Sequence, residues 1–314
     1  MNDAQILRFY VTLIVSLLAF AGIVLLLLDK VFHKNVRSIW NIYRGWLFII
    51  PSFLALVWLG RIAFIVGILA ISVRTFYEFS RATALNASNT WITRVVYASI
   101  VFIALLALIR VPDSRYLGWY GLFAVLPAYV IALILLVPIW QNRYQGQLQA
   151  VALGTMGFLY FGWMLGHLSF MANSPRFLPY VLYLVFATQI GDISAYTSGK
   201  LFGKRKLRSN ISPNKTVAGS LGQLAVALLL PWVFRPLLPG LEPLHLWLTG
   251  LILGIAGQLG DLSISLIKRD IGIKDMSALI PGHGGLLDRV DSLILTAPLF
   301  FHMTRYFGLL FPGS

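Results

Sequence analysis

The sequence contains no cysteine, which excludes disulfide bonds and thiolate metal sites and leaves the redox compartment undefined. Charged side chains are scarce as well, at 11% of 314 residues, whereas 58% of residues are hydrophobic and the mean hydropathy is +0.80. The length alone would suit two soluble domains, but this composition is typical of membrane proteins. We therefore expect an all-α, polytopic transmembrane helical protein, and we find no internal repeat or low-complexity linker in the sequence.

Apolar stretches of the length that a bilayer requires recur along the chain. A transmembrane helix needs ~20 largely apolar residues. The candidate spans are residues 10–28, 46–59, 62–73, 95–109, 119–139, 151–171, 177–197, 217–234, 244–262 and 293–311. The second and third are short and share a tight connection, so they are either two spans or one re-entrant pair, which gives nine or ten spans. Residues 1–8 lack a basic n-region and a small-residue cleavage site, so we expect the first stretch to be a retained span.

Acidic residues are far fewer than basic ones, 11 against 25, and the net charge is +14. With ten spans and the N-terminus outside, eighteen basic residues fall on one side of the membrane and seven on the other. Because loops rich in Lys and Arg tend to stay in the cytoplasm, the richer side is predicted to be cytoplasmic. This bias, with contact to anionic membrane lipids, explains the charge, so nucleic acid is not an expected partner.

Five of the eleven acidic residues are concentrated between Asp261 and Asp291. If the residues around Asp261 are helical, Asp261, Ser265 and Lys268 share one face, because side chains three and four positions apart stack along a helix. Asp288 and Asp291 are spaced i, i+3 and share one face of the helix that follows. The sequence therefore predicts two helix faces that each present carboxylates.

A glycine-rich loop, Pro281-Gly282-His283-Gly284-Gly285, separates these two helices. Successive backbone N–H groups in such a loop can form a concave anion-binding site. Four basic side chains near the loop can add donors for phosphate oxygens: Lys268, Arg269, Lys274 and Arg289. Since Mg²⁺ usually binds through one or two carboxylates and substrate phosphates, the pattern predicts a phosphate and magnesium site.

Two further polar segments precede this stretch. Asp192 lies within or near the end of a span, where a charge is costly and usually serves a site; the alternative is a pair with a basic residue at the membrane edge. After the basic run 204–208, the turn 212–216 places Lys215 and the hydroxyls of Ser212 and Thr216 at a predicted helix start. Free N–H groups and the positive end of the helix dipole favour phosphate there.

A cluster of three charged residues lies in the N-terminal half of the chain. Arg74, Glu78 and Arg81 are spaced i, i+4, i+7 at the inner end of a predicted span. Exposed pairs of this kind are common and contribute little to stability. A structural surface ion pair is therefore the favoured interpretation, and contact with a lipid headgroup is the alternative.

The polar segments together resemble the phosphatidate cytidylyltransferase (CDP-diacylglycerol synthase) family. The strongest part of the resemblance is a signature of about a dozen positions within residues 265–291. Its members here are Ser265, Lys268, Arg269, Lys274, Asp275, Pro281, His283, Gly284, Gly285, Asp288, Arg289 and Asp291. The Asp192-x-x-Ala195-Tyr196 and Ser212-Pro213-x-Lys215-Thr216 segments are also similar to the family, so the resemblance covers roughly residues 191–292.

The resemblance implies an enzyme that condenses CTP with phosphatidic acid to give CDP-diacylglycerol and pyrophosphate, with Mg²⁺ as cofactor. It implies a metal site formed by Asp192, Asp261, Asp288 and Asp291. It implies catalytic roles for Lys215, Lys268, Arg269, Lys274, His283 and Arg289, and nucleotide binding by Ser212, Lys215, Thr216, Gly284 and Gly285. For His283, a plain hydrogen-bonding role in the loop is an equal alternative.

We divide the chain into an N-terminal transmembrane region, 1–175, and a C-terminal transmembrane catalytic region, 176–314, and the distribution of Lys and Arg predicts that the active site faces the cytoplasm. Ala218 and Ile264 stand where family members usually carry Glu. This departure leaves open a different lipid or prenyl phosphate as substrate, and it leaves the metal complement open. An ion-coupled transporter is a further alternative, because a carboxylate within a span also occurs in translocation pathways. A homodimer is left open.

Overall fold

The computed structural model is a bundle of long helices, and it describes residues 1–32, 36–109, 120–277 and 284–311. Its helices are α1 (Asp3–Lys30), α2 (Arg37–Trp58), α3 (Arg61–Ala82), α4 (Leu85–Ser88), α5 (Thr90–Leu108), α6 (Tyr120–Trp140), α7 (Gln147–Gly157), a π-helical stretch (Phe158–Met164), α8 (Leu165–Met171), α9 (Phe177–Phe202), α10 (Val217–Val233), a 3₁₀ turn (Arg235–Leu237), α11 (Pro243–Asp270) and α12 (Leu287–Tyr306). Two short strands, β1 (Lys206–Arg208) and β2 (Ser212–Thr216), join α9 to α10. The predicted all-α class is confirmed, with this hairpin as a small addition.

Each of the ten predicted spans corresponds to a helix or a continuous helical segment. Eight segments in the described part of the chain are long and apolar enough to cross a membrane: α1, Ile39–Trp58 of α2, α3, α5, α6, Gln147–Met171, α9 and α11. The other two, α10 with 17 residues and α12 with 20, pack against these segments. The prediction of a polytopic membrane protein is therefore confirmed.

The sequence left two arrangements open for the second and third spans: two separate spans or one re-entrant pair. α2 and α3 each contain 22 residues, so each is ~33 Å long at 1.5 Å per residue. That length is enough to cross a hydrocarbon core of ~30 Å. Gly60 turns the chain between them with φ +88, a conformation that glycine adopts easily. The pair is therefore two full-length helices, and the re-entrant alternative is wrong.

The first two helices lie at the edge of the bundle. Only 6% of the apolar stretch of α1 is buried, and none of that of α2. Tyr10 is the main contact of α1 with the body, since it is fully buried with its ring 5.7 Å from that of Phe186 and 5.8 Å from that of Phe234. Ile6 of α1 and Val57 of α2 are also buried, whereas the exposed apolar side chains of both helices are available to lipid.

The four helices α9 to α12 approach one another closely because small residues lie between them. A Cβ atom added at Gly219 of α10 would lie 2.6 Å from a carbonyl oxygen of α9. At Gly250 of α11 it would lie 2.7 Å from a Cα atom of α10, and at Gly260 of α11 it would lie 2.5 Å from the carbonyl oxygen of Asp291 in α12. This packing brings the polar ends of the four helices together.

The basic run and turn between α9 and α10 fold as a hairpin, whereas the sequence predicted a simple turn. Lys206 of β1 pairs with Thr216 of β2. The N–H of Val217, the first residue of α10, donates to the carbonyl of Arg205 at 3.0 Å. Lys215 is therefore held on a strand that runs directly into the helix.

The close approach of α10 and α11 can be tested with Gly250→Ala. The added methyl group would meet backbone atoms of α10, which cannot move aside, so we expect a loss of about 1–3 kcal/mol in stability. The measurement is the melting temperature of the purified protein in detergent. Gly121→Ala is the matched control, because nothing lies within 4 Å of a Cβ at Gly121. Equal melting temperatures for the two variants would contradict this account of the packing.

Candidate active site

The last turns of α11 carry the first group of polar side chains. Ser265 Oγ donates to Asp261 Oδ1 at 3.2 Å, one helical turn away. Lys268 lies nearly one turn further and reaches Asp288 of α12, with 2.8 Å between Nζ and Oδ1. The predicted shared helix face of Asp261, Ser265 and Lys268 is therefore confirmed.

Three carboxylates converge on this face from three different helices. Asp192 of α9, Asp261 of α11 and Asp291 of α12 lie close enough for their charges to repel one another. Ser292 Oγ donates to Asp192 Oδ2 at 3.1 Å, and Gln223 Nε2 donates to Asp192 Oδ1 at 3.3 Å. The hydrogen bonds that hold Asp192 in the described part of the chain thus come from neutral side chains and not from Lys or Arg.

Asp288 is engaged differently from these three carboxylates. It is 8% exposed, and its Oδ1 accepts a hydrogen bond from Lys268 Nζ. Its Oδ2 accepts from the N–H of Met276 at 3.1 Å and from the N–H of Gly285 at 2.9 Å. Because both oxygens already have donors from the chain, Asp288 ties the loop between the helices to α11 and has little capacity left for a metal.

Gly284 and Gly285 are required by the space around them. Gly284 has φ +78, and a Cβ atom there would lie 2.9 Å from Asp288 Oδ2. A Cβ atom at Gly285 would collide with the carboxylate of Glu78, which comes from α3. The N–H of Gly285 donates to Asp288, so it is already used and is not free for the phosphate that the sequence predicted at this position.

Glu78, interpreted from the sequence as part of a surface pair, is buried. Its carboxylate is 3.3 Å from Arg74 Nε, so the predicted ion pair is present, but Glu78 itself is only 2% exposed. It accepts hydrogen bonds from Ser277 Oγ at 2.8 Å and from the N–H of Leu287 at 3.0 Å. A signal was available, because Glu78 is one of only two glutamates and lies in an apolar helix, where a charge is costly.

Three of the predicted basic residues lie at the carboxylates. Lys215 Nζ is 2.7 Å from Asp261 Oδ2, and both side chains remain about 30% exposed. Lys268 pairs with Asp288 as described. The charge of Arg289 acts on Asp192, and Arg289 Nε is buried without a hydrogen-bond partner in the described residues. A buried guanidinium nitrogen of this kind is suited to an anionic ligand.

The other predicted basic residues do not join this cluster. Arg269 donates to the carbonyl of Ile211 at 3.3 Å, which braces the hairpin against the end of α11. Lys274 is exposed in the loop after α11 and forms no ion pair with any other residue that the structure describes. His283, with the rest of residues 278–283, lies outside the described residues.

The protein itself uses part of the predicted phosphate-binding helix start. Thr216 precedes α10, and its Oγ1 accepts from the N–H of Gly219 at 3.1 Å, so it caps its own helix. The N–H of Val217 is bonded to the hairpin. Ser212 lies at the other end of β2, away from Thr216. Lys215 is therefore the strongest anion-binding group of this segment.

The two positions where the resemblance implied a missing acid differ in their surroundings. Ile264 is fully buried, one residue before Ser265 in α11. Ala218 is half-buried in the first turn of α10. Neither side chain supplies an oxygen, so the site depends on the carboxylates already described.

Carboxyl groups outnumber basic groups in the cluster. The acidic members are Asp192, Asp261, Asp288 and Asp291, and the basic members are Lys215, Lys268 and Arg289. Carboxylate oxygens are the donors that hard divalent cations take. No three His, Cys, Asp or Glu side chains in the described ranges form a ready-made metal site. A cation here would bind one or two carboxylates and complete its coordination with phosphate or water oxygens.

Comparison with known proteins gives a consistent match over most of the chain. Residues 42–307 match the model of the cytidylyltransferase family. A Bacillus subtilis (strain 168) phosphatidate cytidylyltransferase is 31% identical over 260 residues, which cover 82% of this chain and 94% of that protein. A Staphylococcus haemolyticus (strain JCSC1435) phosphatidate cytidylyltransferase is 41% identical over 155 residues, which cover 48% of this chain and 55% of that protein.

A further relative is the Escherichia coli (strain K12) protein named uncharacterized protein YnbB. It is 35% identical over 264 residues, which cover 76% of this chain and 88% of that protein. The family match, residues 42–307, therefore covers the chain from within α2 onward and includes the polar cluster.

The pair formed by Lys268 and Asp288 can be tested by a double-mutant cycle of Lys268→Met and Asp288→Asn. Each single change leaves a largely buried partner without its counter-charge. The sum of the two single losses in stability should therefore exceed the loss in the double variant. We expect a coupling free energy of about 0.5–3 kcal/mol. It is measured by denaturant unfolding in detergent. Additive effects of the two changes would show that Lys268 and Asp288 are not energetically coupled.

Proposed function

The chain belongs to the cytidylyltransferase family, and on that basis we propose that it condenses CTP with phosphatidic acid to give CDP-diacylglycerol and pyrophosphate. The names of the relatives support this substrate pair. The structural observation that carries the proposal is the meeting of Asp192, Asp261 and Asp291 from three helices beside Lys215 and Arg289. A cluster of both signs suits a reaction that must neutralise several phosphates.

The reaction brings together two anions that repel each other. A phosphate oxygen of the lipid forms a bond to the α-phosphorus of CTP, while the bond from that phosphorus to the bridging oxygen of the β-phosphate breaks and pyrophosphate leaves. The lipid phosphate is itself the nucleophile, so no side chain has to form a covalent intermediate. The work of the chain is therefore to position the substrates and to stabilise charge.

We assign Lys215 and Arg289 to the triphosphate of CTP. Lys215 is partly exposed, so its ammonium group can leave Asp261 and follow an arriving phosphate. Arg289 has a buried nitrogen without a partner in the described residues, and its planar guanidinium fits two phosphate oxygens at once. Lys268 stays with Asp288 and contributes its charge from that fixed place.

We propose that Mg²⁺ binds through one or two of the carboxylates of Asp261, Asp291 and Asp192 and completes its coordination with phosphate or water oxygens. When bound, Mg²⁺ supplies positive charge to the triphosphate and the lipid phosphate. These three carboxylates are preferred because they repel one another, which a cation would relieve. Asp288 is the weaker candidate because donors of the chain occupy both of its oxygens.

We propose that the site faces the cytoplasm. The ends of α9 to α12 near the cluster carry ten basic residues: Lys200, Lys204, Arg205, Lys206, Arg208, Lys215, Lys268, Arg269, Lys274 and Arg289. The opposite ends carry three, Arg176, Arg235 and Arg305. This asymmetry supports a cytoplasmic site by the positive-inside rule, and CTP is supplied on that side. We also keep residues 176–314 as the proposed catalytic region and residues 1–175 as its transmembrane partner.

A related lipid or prenyl phosphate is the second candidate for the acceptor. The observation that favours it is Ile264, which is apolar and fully buried where the resemblance implied Glu. A site with fewer carboxylates repels the phosphate of the acceptor less. Binding of the acceptor then depends less on one particular lipid. Because the chain belongs to the cytidylyltransferase family, a transporter function is not needed to explain the carboxylate within a span.

Purified protein with Mg²⁺, CTP and phosphatidic acid should release pyrophosphate. Asp261→Asn should lower the rate about a hundredfold or more, because it removes a charge at the point where the helices converge. Asp270→Asn is the matched control, since Asp270 is exposed at the end of the same helix. The same assay with a panel of lipid and prenyl phosphates separates the two candidate acceptors. No pyrophosphate release with any lipid phosphate would overturn the proposed function.

Removal of divalent cations with a chelator should stop pyrophosphate release, and added Mg²⁺ should restore it. The reason is that the carboxylates of the cluster would otherwise face the triphosphate without a cation between them. A second measurement does not depend on activity: Mg²⁺ should raise the melting temperature of the native protein but not that of Asp261→Asn combined with Asp291→Asn. Pyrophosphate release that persists in the presence of the chelator would contradict the proposed Mg²⁺ site.

A further inference from the structure

Glu78 connects the N-terminal half of the chain to the start of α12. Its Oε1 accepts hydrogen bonds from Ser277 Oγ at 2.8 Å and from the N–H of Leu286 at 3.2 Å. Its Oε2 accepts from the N–H of Leu287 at 3.0 Å. All three donors belong to the two described ends of one loop, although Glu78 precedes that loop by about 200 residues.

The two backbone N–H groups that donate to Glu78 belong to Leu286, which directly precedes α12, and to Leu287, its first residue. Such groups have no partner within their own helix and must be satisfied by another acceptor. A carboxylate is a favourable acceptor there because it also meets the positive end of the helix dipole. Leu286 has a side chain that cannot cap the helix, so α3 provides the cap from outside.

Two carboxylates hold the described ends of the loop. Glu78 of α3 holds them from one side, and Asp288 of α12, which is paired with Lys268 of α11, accepts from the N–H groups of Met276 and Gly285. A Cβ atom at Gly285 would collide with Glu78 Oε2 and lie 3.1 Å from Ser277 Oγ, so this position admits no side chain. The first turn of α12 is thereby fixed against two other helices at once.

We propose that Glu78 is a positioning residue for the reaction, which sets the start of α12 and thereby the places of Arg289 and Asp291 relative to Asp261. Glu78 itself touches none of these three site residues and acts through the described ends of the loop. Asp291 lies one turn beyond Leu287, so a shift of the first turn moves it directly. The catalytic part of this inference rests on the proposed function.

The test compares Glu78→Gln with Glu242→Gln. Glu242 is the other glutamate of the chain and also precedes a helix, but it lies at the end of α11 opposite to Asp261. Glu78→Gln replaces one acceptor by an NH₂ donor that faces a backbone N–H, so the start of α12 loosens. We expect kcat to fall about tenfold to a hundredfold with a much smaller change in KM for CTP. Glu242→Gln should keep the native kcat.

Two further measurements separate positioning from general stability. Amide hydrogen exchange of residues 284–288 in the substrate-free protein should become faster in Glu78→Gln and stay unchanged in Glu242→Gln. Glu78→Asp keeps the charge with a shorter reach, so its kcat and exchange should lie between those of the native protein and Glu78→Gln. Native exchange and native kcat in Glu78→Gln would overturn the proposal, as would exchange that becomes faster equally throughout the protein.

The exchange measurement needs no CTP and no lipid. If the native protein releases no pyrophosphate but Glu78→Gln still exposes residues 284–288, the proposed function fails while the role of Glu78 in fixing α12 stands. If the native protein is active and Glu78→Gln is equally active with unchanged exchange, only the role of Glu78 fails. The two failures are therefore distinguishable.

Discussion

A carboxylate buried in an apolar bundle must be given donors or a cation, and this constraint organises the polar end of the structure. Removal of a carboxylate from water costs several kcal/mol unless hydrogen bonds or opposite charges replace the water. The bundle meets the requirement with backbone N–H groups and one lysine for Asp288, and with N–H groups, a serine and an arginine for Glu78. Once these two groups are satisfied, the described ends of the loop and the start of α12 have defined places.

The same requirement is only partly met for the other three carboxylates, and this difference is the ground on which we propose them as the cation ligands. Asp192 has a serine and an amide, Asp261 has a serine and a partly exposed lysine, and Asp291 has an adjacent backbone N–H. Their mutual repulsion remains. A satisfied carboxylate holds the chain in place, whereas an incompletely satisfied one is ready to receive a ligand.

The sequence predicted those parts of the molecule that depend on local spacing. The long helices follow from apolar stretches, and the shared face of Asp261 and Lys268 follows from the helical period. A glutamate in an apolar helix was a signal that Glu78 is buried, but the sequence could not predict its backbone partners, because they lie 208 and 209 residues away. It also assigned Thr216 and Gly285 to phosphate, whereas both make bonds within the protein, since a motif records which residues occur and not which of their donors and acceptors are already used.

The peripheral position of α1 has a consequence for the history of the molecule. The helix contacts the body mainly through Tyr10, and it precedes residue 42, where the match to the family begins. Its outward side chains contact only the bilayer, so they can be replaced by other apolar side chains without the loss of a contact within the protein. The glycines between α9 and α12 have no such freedom, because a single methyl group there would separate the backbones. Divergence within this lineage should therefore accumulate on the lipid-facing helix and spare the helix contacts around the acidic cluster.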